Sequence, residues 1–346
     1  MMKRVFVIFV GLGCLAAACA TAGCRREQPD GRPADWFDDA KALEQERQYF
    51  QENRENAPLG ALEYYRFCLA DGSFDQAALR DIRHEIDWLS AIKLMMTEDD
   101  LGKPRYRQAI EALTAFRAAW PDSPHRGQAL FFRGLAKEYD VDYQDVAGAT
   151  ADYREFIQEN PTSPLLPEAW VRIAHAQEFN LSRPDYGQAV AAYDKVIEKF
   201  GPTNEAVRSA PTLTRMCVER SLYAKARIME DHLAETNDAE RARACYAEAA
   251  RCYERLTDPV FFGKTRFRQS QFVHFRLGCL LAEKLDRPEE GLRVLQSMAE
   301  RWRESPWFGK VTAKMGQIKK KAGRDKEPAP SARPTLAAAT EAPAAR

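Results

Sequence analysis

The stretch DVAGATADYREFIQENPTSPLLPEAWVRIAHAQEFN, residues 145–180, decides the fold because its pattern recurs along the chain. Ala149 has counterparts at Ala109 and Ala189, at a spacing of 40 residues. Leu113, Tyr153 and Tyr193 share one register position, and Phe116, Phe156 and Val196 share another. The breakers Pro121, Pro161 and Gly201 follow at the same spacing, and Leu130 aligns in part with Trp170. A fixed period of roughly 20 to 50 residues marks stacked supersecondary units that bury their faces against one another. Proline lacks an amide donor and turns its predecessor away from the helical region, so each Pro-x-Ser-Pro run stops a helix at a fixed phase. The spacing therefore predicts helices from Tyr106 to about Trp120 and from Gly127 to about Tyr139, followed by the same pair again.

Outside this core the pattern is looser. Leu62 to Leu69 and Leu79 to Met95 read as two amphipathic helices, and the acidic Thr97–Pro104 loop separates this N-terminal region, residues 34–104, from an array over 105–321. Val207 to Glu235 reads as one long helix kinked near its start by Pro211, and Ala239 to Leu256 as another. Gly278, Gly291, Leu295 and Met298, with the break at Ser305 and Pro306, restore the repeat logic for a last unit. Residues 322–346 are rich in alanine and proline and poor in aromatic and branched residues, the composition of a disordered tail.

Composition excludes little except strong fields. Lysine plus arginine number 51 and aspartate plus glutamate 51 in 346 residues, so nothing draws the chain to nucleic acid by net charge. The N-terminus is different in kind: Lys3 and Arg4 precede the apolar run Val5 to Leu15 and a small-residue stretch ending at Cys24. That is the layout of a secretory signal over residues 1–23, with 24–33 as a polar tether, and the apolar run is short for a membrane-spanning helix. Thr21-Ala22-Gly23-Cys24 resembles the lipobox of bacterial lipoproteins, which implies lipidation at Cys24; Cys19, after Leu15 and three alanines, is the rival acceptor. Cleavage after Ala22 without lipidation is the alternative. A third cysteine of the signal segment, Cys14, lies in the apolar run; the five beyond this segment, Cys68, Cys217, Cys245, Cys252 and Cys279, show no zinc spacing and read as packed thiols.

Motifs for chemistry fail one by one. His175 and Glu178 lie one turn apart without a second such helix; Asp140, Asp142 and Asp145 lack the glycine and glutamate of a calcium loop; His84 beside Glu85 has no further partner in sequence. The chain has no phosphate-binding glycine loop, zincin helix or nucleophile elbow. The Lys319–Lys321 run complements a helix dipole, and it needs more charge to attract anionic lipid. The expected class is therefore a non-catalytic protein without a cofactor or metal.

The repeat resembles the tetratricopeptide repeat, carried by Trp170, Ile173, Ala174, Ala149, Tyr153 and Pro161, with Ala189 and Tyr193 in the next unit. The resemblance implies an all-α, right-handed α-solenoid of helix pairs, with small residues such as Gly134 and Ala149 where helices cross. It also implies that first helices line a groove for a protein partner. In this chain those positions are Gln128, Phe131, Leu135, Glu138, Glu168, Val171, His175 and Glu178, then Arg208 and Arg215. Each unit is longer than the usual 34 residues of that repeat, and HEAT-type repeats are the alternative. Signal, lipid-acceptor cysteine and Pro-x-Ser turns together resemble the outer-membrane assembly lipoprotein (BamD-like) family. That resemblance implies an outer-membrane lipoprotein facing the periplasm that docks a β-barrel assembly component. A periplasmic scaffold for cell division or polysaccharide assembly stays open as an alternative, and an enzyme with a scattered site is the least expected.

Overall fold

The computed structural model describes residues 75–324, apart from 99–101, 103, 141, 143, 181–182 and 262–266, together with Leu62, Tyr65, Arg66 and Leu69. The signal segment, Cys19, Cys24, the tether, Cys68 and the tail beyond Arg324 lie outside the described residues. Among the described residues the regular structure is all-α, with one isolated bridge between Glu98 and Pro104. Two compact units follow one another, residues 1–225 and 226–346.

The first unit holds α1 (Gln76–Met96), α2 (Tyr106–Ala119), α3 (Arg126–Tyr139), α4 (Val146–Glu159) and α5 (Leu166–His175), which runs into a π-helical turn, Ala176–Asn180. It continues with α6 (Tyr186–Phe200), the short α7 (Asn204–Ser209) and α8 (Thr212–Ile228), whose last residues begin the second unit. Pro211 breaks the chain between α7 and α8 rather than kinking one long helix, because Ala210 before it is extended. Helices pack in sequence: α1 on α2, α3 on α4 and α5 on α6 form pairs, and α2 on α3 and α4 on α5 join one pair to the next. This is a repeat-like helical array.

Local chemistry explains the register. At the end of α2, the Trp120 amide donates to the Phe116 carbonyl, Ser123 N to Trp120 O, and Ser123 Oγ accepts from His125 N at 3.0 Å. Forty residues on, Asn160, Ser163 and Leu165 repeat all three bonds. The serine thus ties down the turn just before the next helix while the proline ends the previous one. The connection inside each pair repeats too: Asp145 N donates to Lys137 O and Asp185 N to Gln177 O, and both aspartates cap the helix that follows. Arg105 N donates to Thr97 O in the same register, so α1 and α2 are joined as the later pairs are.

The pair α3–α4 is filled by Phe131, Phe132, Tyr153 and Phe156, with ring centroids 5.5 to 5.7 Å apart, and Trp88 of α1 packs on Phe116 of α2 at 5.4 Å. Gly134 makes room for the Tyr153 ring rather than for Ala149: a Cβ there would stand 2.7 Å from Tyr153 Cε1. Arg133 grips Asp152 through Nε and Nη2 at 2.9 and 2.6 Å, closing the same pair with a bidentate ion pair.

The second unit holds a π-helical turn, Met229–Leu233, then α9 (Ala239–Leu256), a 3₁₀ turn (Pro259–Phe261), α10 (Phe267–Glu283), α11 (Pro288–Arg301) and α12 (Phe308–Arg324). Helices again pack in order, α9 on α10, α10 on α11 and α11 on α12. Asp286, at φ 56°, reverses the chain ahead of Pro288, which opens α11. The serine turn recurs at Trp302, Ser305 and Trp307, where Ser305 Oγ accepts from Trp307 N at 3.1 Å. The core here is Ala282, Leu295, Met298, Trp302, Val311 and Ile318. α10 and α11 cross at two glycines: a Cβ on Gly291 would lie 2.5 Å from Gly278 O and 2.8 Å from Ala282 Cβ.

A paired substitution tests this crossing. Gly291→Ala is expected to destabilise by about 1–3 kcal/mol, because backbone must move. Gly316→Ala in α12, where an added Cβ meets nothing within 4 Å, is expected to stabilise by about 0.5–1 kcal/mol through helix propensity. Urea denaturation of both variants against wild type reads the two opposite signs.

A buried charge ladder as the candidate functional site

Four charged side chains cross three helices of the first unit. Glu138 ends α3, Glu168 and Arg172 sit one turn apart on α5, and Arg220 lies on α8. Arg172, only 5 % exposed, donates from Nε to Glu168 Oε1 at 2.8 Å and from Nη1 to Glu138 Oε1 at 3.3 Å and to the Tyr139 hydroxyl. Glu168 accepts in addition from Arg220 Nη1 at 3.1 Å and from the Cys217 thiol at 3.2 Å. Glu138 accepts from the Tyr153 hydroxyl at 2.9 Å. The result is an alternating row of two carboxylates and two guanidinium groups in which every carboxylate oxygen has a donor, as a low-dielectric site requires.

The electrostatics follow from this row. Burial pushes the Glu168 carboxyl up, but the Arg172 and Arg220 charges, with bonds from Cys217 and Arg172, outweigh it and bring its pKa from 4.5 to about 2. Burial works against the Arg172 cation, yet Glu168 and Glu138 together hold its pKa well above the ordinary value. Burial, reinforced by the Glu168 charge, pushes the Cys217 thiol well up, so it is a hydrogen-bond donor and not a thiolate. Burial also raises Tyr153 well above its usual range and Tyr193 to about 12.

The ten groove positions read from sequence fall in three groups. Phe131, Leu135 and Val171 are buried, and so are Glu138, Glu168 and Glu178. The physical reason is that α3 and α5 are enclosed by neighbouring helices around most of their circumference, which leaves a narrow open side. Phe131 packs into α4, and Glu178 accepts from Tyr193 of α6 at 2.9 Å, as Glu138 does from Tyr153 one unit earlier. Gln128 and His175 are half-buried. Gln128 Oε1 meets His125 Nδ1 at 3.1 Å, while His175 stands above the ladder with Nδ1 4.0 Å from Glu138 Oε1 and without a hydrogen bond. Burial lowers the pKa of His175. Arg208 is on α7, exposed and paired with Glu205, and Arg215 is half-buried on α8.

Sequence reading missed Arg172, Cys217, Arg220 and Phe179. Phe179 is 54 % exposed on the π turn that ends α5, its ring centroid 4.7 Å from that of His175. Accessible groups near the ladder include the Phe179 ring, the His175 imidazole and Arg220, whose side chain is 35 % exposed. The signal available in sequence was the 40-residue repeat of the Glu138–Tyr153 and Glu178–Tyr193 separations, both 15 residues.

Three other polar clusters are structural in form. His84 contacts Glu85 Oε1 at 3.0 Å and Ser123 Oγ at 2.7 Å, and His125 stacks on Trp88 at 4.8 Å. In the second unit Gln271 meets Ser305 Oγ at 2.7 Å, so a polar side chain from an earlier helix secures the turn serine in both units. Arg276 binds Glu230 and Asp231, and Tyr253 donates to Glu230 at 3.1 Å. The described cysteines are free thiols, Cys217 and Cys252 buried, Cys245 and Cys279 half-buried. Asp145 caps α4 and Asp140 accepts from the Asp142 amide at 3.1 Å, which uses the carboxylates of the rejected calcium loop. No group of three potential metal ligands occurs among the described residues.

Because the folded Glu168 carboxyl is depressed, it adds stability that is present above about 4.5 and is lost as pH falls through about 2. Thermal unfolding of wild type is expected to weaken across that window, and Glu168→Gln is expected to flatten the acid limb while lowering stability at neutral pH. An unchanged acid limb in Glu168→Gln contradicts the ladder's charge state. No family model matches this chain, and no curated protein matches it.

Proposed function

We propose that the protein is a non-catalytic adaptor of the bacterial cell envelope, a right-handed tetratricopeptide-like solenoid held to the outer membrane through a lipid on Cys24. Its first helices present a binding surface to a protein partner, and the resemblance to assembly lipoproteins makes a β-barrel assembly component that partner. One observation carries the reading: an exposed phenylalanine, Phe179, packs beside His175, which itself stands 4.0 Å from the buried ladder at Glu138. Interface anchors are enriched in aromatic residues, and an exposed ring against an imidazole is an anchor of that kind. An extended peptide or a partner helix suits such a mixed surface.

No helix of the described residues is long and apolar enough to cross a membrane. The proposed membrane attachment is the lipid on Cys24, supported by the lipobox resemblance of Thr21-Ala22-Gly23-Cys24. Intact mass of the protein from bacterial membranes, for wild type, Cys24→Ala and Cys19→Ala, reads that attachment. Acylation lost in Cys24→Ala alone is the expected result; a mature chain beginning at Gly23 without lipid contradicts it.

A photo-crosslinking residue at position 179 is expected to capture a barrel-assembly component in living cells, whereas one at the exposed Gln158 of α4 is not. Phe179→Ala is expected to weaken that partner's binding about thirtyfold with the unfolding midpoint unchanged. Equal capture from both positions, or none from 179, contradicts the proposal.

A further inference from the structure

Helix α12 departs from the charge balance of the rest of the chain. It carries Lys310, Lys314, Lys319, Lys320, Lys321 and Arg324 and no acidic residue. One side seats it: Val311 and Ile318 are buried, Met315 is half-buried, and all three belong to the core around Leu295 and Met298. Two of the cations have local roles, Lys314 with Glu283 at 2.8 Å and Lys310 over the Trp307 ring at 5.0 Å. Lys319, Lys320 and Lys321 are exposed. The helix dipole favours cations in the last turn, but it opposes Lys310 in the first, so it does not account for a helix that is basic from end to end.

The remaining surface of α12 is nearly featureless. Gly309, Thr312, Ala313, Gly316 and Gly323 are exposed, and an added Cβ at any of the three glycines meets nothing within 4 Å. Phe308, 39 % exposed, stands at the start of the helix beside half-buried Trp307. A protein partner is recognised through pockets and well-packed anchors. Flexible, strongly hydrated ammonium groups fanned around the exposed end of the helix, on long stems that can reach one plane, with an aromatic ring at its other end, fit a layer of phosphate headgroups instead.

We propose that the exposed face of α12 binds an anionic lipid surface, with Lys319, Lys320 and Lys321 among the phosphates and Phe308 at the boundary of the apolar layer. The proposal rests on the cell-envelope reading, which brings the protein to a membrane. The attraction is additive, screened by salt and indifferent to headgroup detail beyond its charge.

The test uses the chain from Arg25 onward, which keeps every described residue and has no acyl acceptor at Cys19 or Cys24. Co-sedimentation with vesicles of phosphatidylglycerol and phosphatidylcholine is compared with vesicles of phosphatidylcholine alone. Binding is expected to the anionic vesicles only and to fall steeply as salt is raised. Replacing Lys319, Lys320 and Lys321 together by glutamine is expected to weaken partitioning about a hundredfold, with far-ultraviolet circular dichroism unchanged, while Lys195→Gln has no effect. Absent or salt-insensitive binding by wild type overturns the proposal whatever the variant's folding, and so does a folded triple variant that binds as wild type. Loss of acylation in cells with vesicle binding retained refutes the anchor and leaves this site standing; an acylated protein whose soluble form ignores anionic vesicles does the reverse.

Discussion

A guanidinium group cannot be buried alone, and Arg172 is buried. It must therefore meet carboxylates, and the two that it meets, Glu138 and Glu168, come from different helices; Glu168 in turn engages Arg220 on a third. Removing one partner from such a network costs about 3–5 kcal/mol, since the others stay desolvated and unpaired. Replacing the whole network with apolar residues can cost nothing, so its presence is not explained by stability as such. Our hypothesis is that the ladder sets the register of α3, α5 and α8, and through that register the placement of His175 and Phe179.

Around this constraint the fold repeats a small set of devices. Apolar residues fill each helix pair, and those contacts supply the bulk of the driving force. Register comes from polar details: a proline that ends a helix, a serine that holds the turn before the next, an aspartate that opens the second helix of a pair, and a tyrosine that donates to a glutamate of the first. The serine turn reappears at Ser305 in the second unit, between Trp302 and Trp307 where the first unit has Trp120 and His125. Backbone bonding is thus retained where side-chain identity is not, as expected when a turn geometry admits few residues and a core position admits many.

This difference decides how much the sequence discloses. Helix ends at Tyr139, Phe200 and Leu256 were legible because prolines, glycines and caps act locally. The pairing of α1 with α2 was hidden, because the Thr97–Arg105 connection keeps a backbone bond without the aspartate of later units. Candidate binding positions were the least legible. Assigning Phe131, Leu135 and Val171 to a groove presumes one open side per first helix, whereas the number of helices enclosing α3 and α5 is a tertiary fact. Glu138 and Glu178 read as surface charge until Tyr153 and Tyr193 are seen to reach them. His84, isolated in sequence, finds Ser123 only through the turn between α2 and α3.

What the ladder does for its helices can be measured without knowing any partner. Hydrogen–deuterium exchange of wild type and Arg172→Met, at neutral pH, reports protection helix by helix. If the ladder fixes register, the last turn of α3, all of α5 and the middle of α8 around Cys217 and Arg220 lose protection together. Loss confined to the turn around residue 172, or no loss, would show that the three helices hold their places without it.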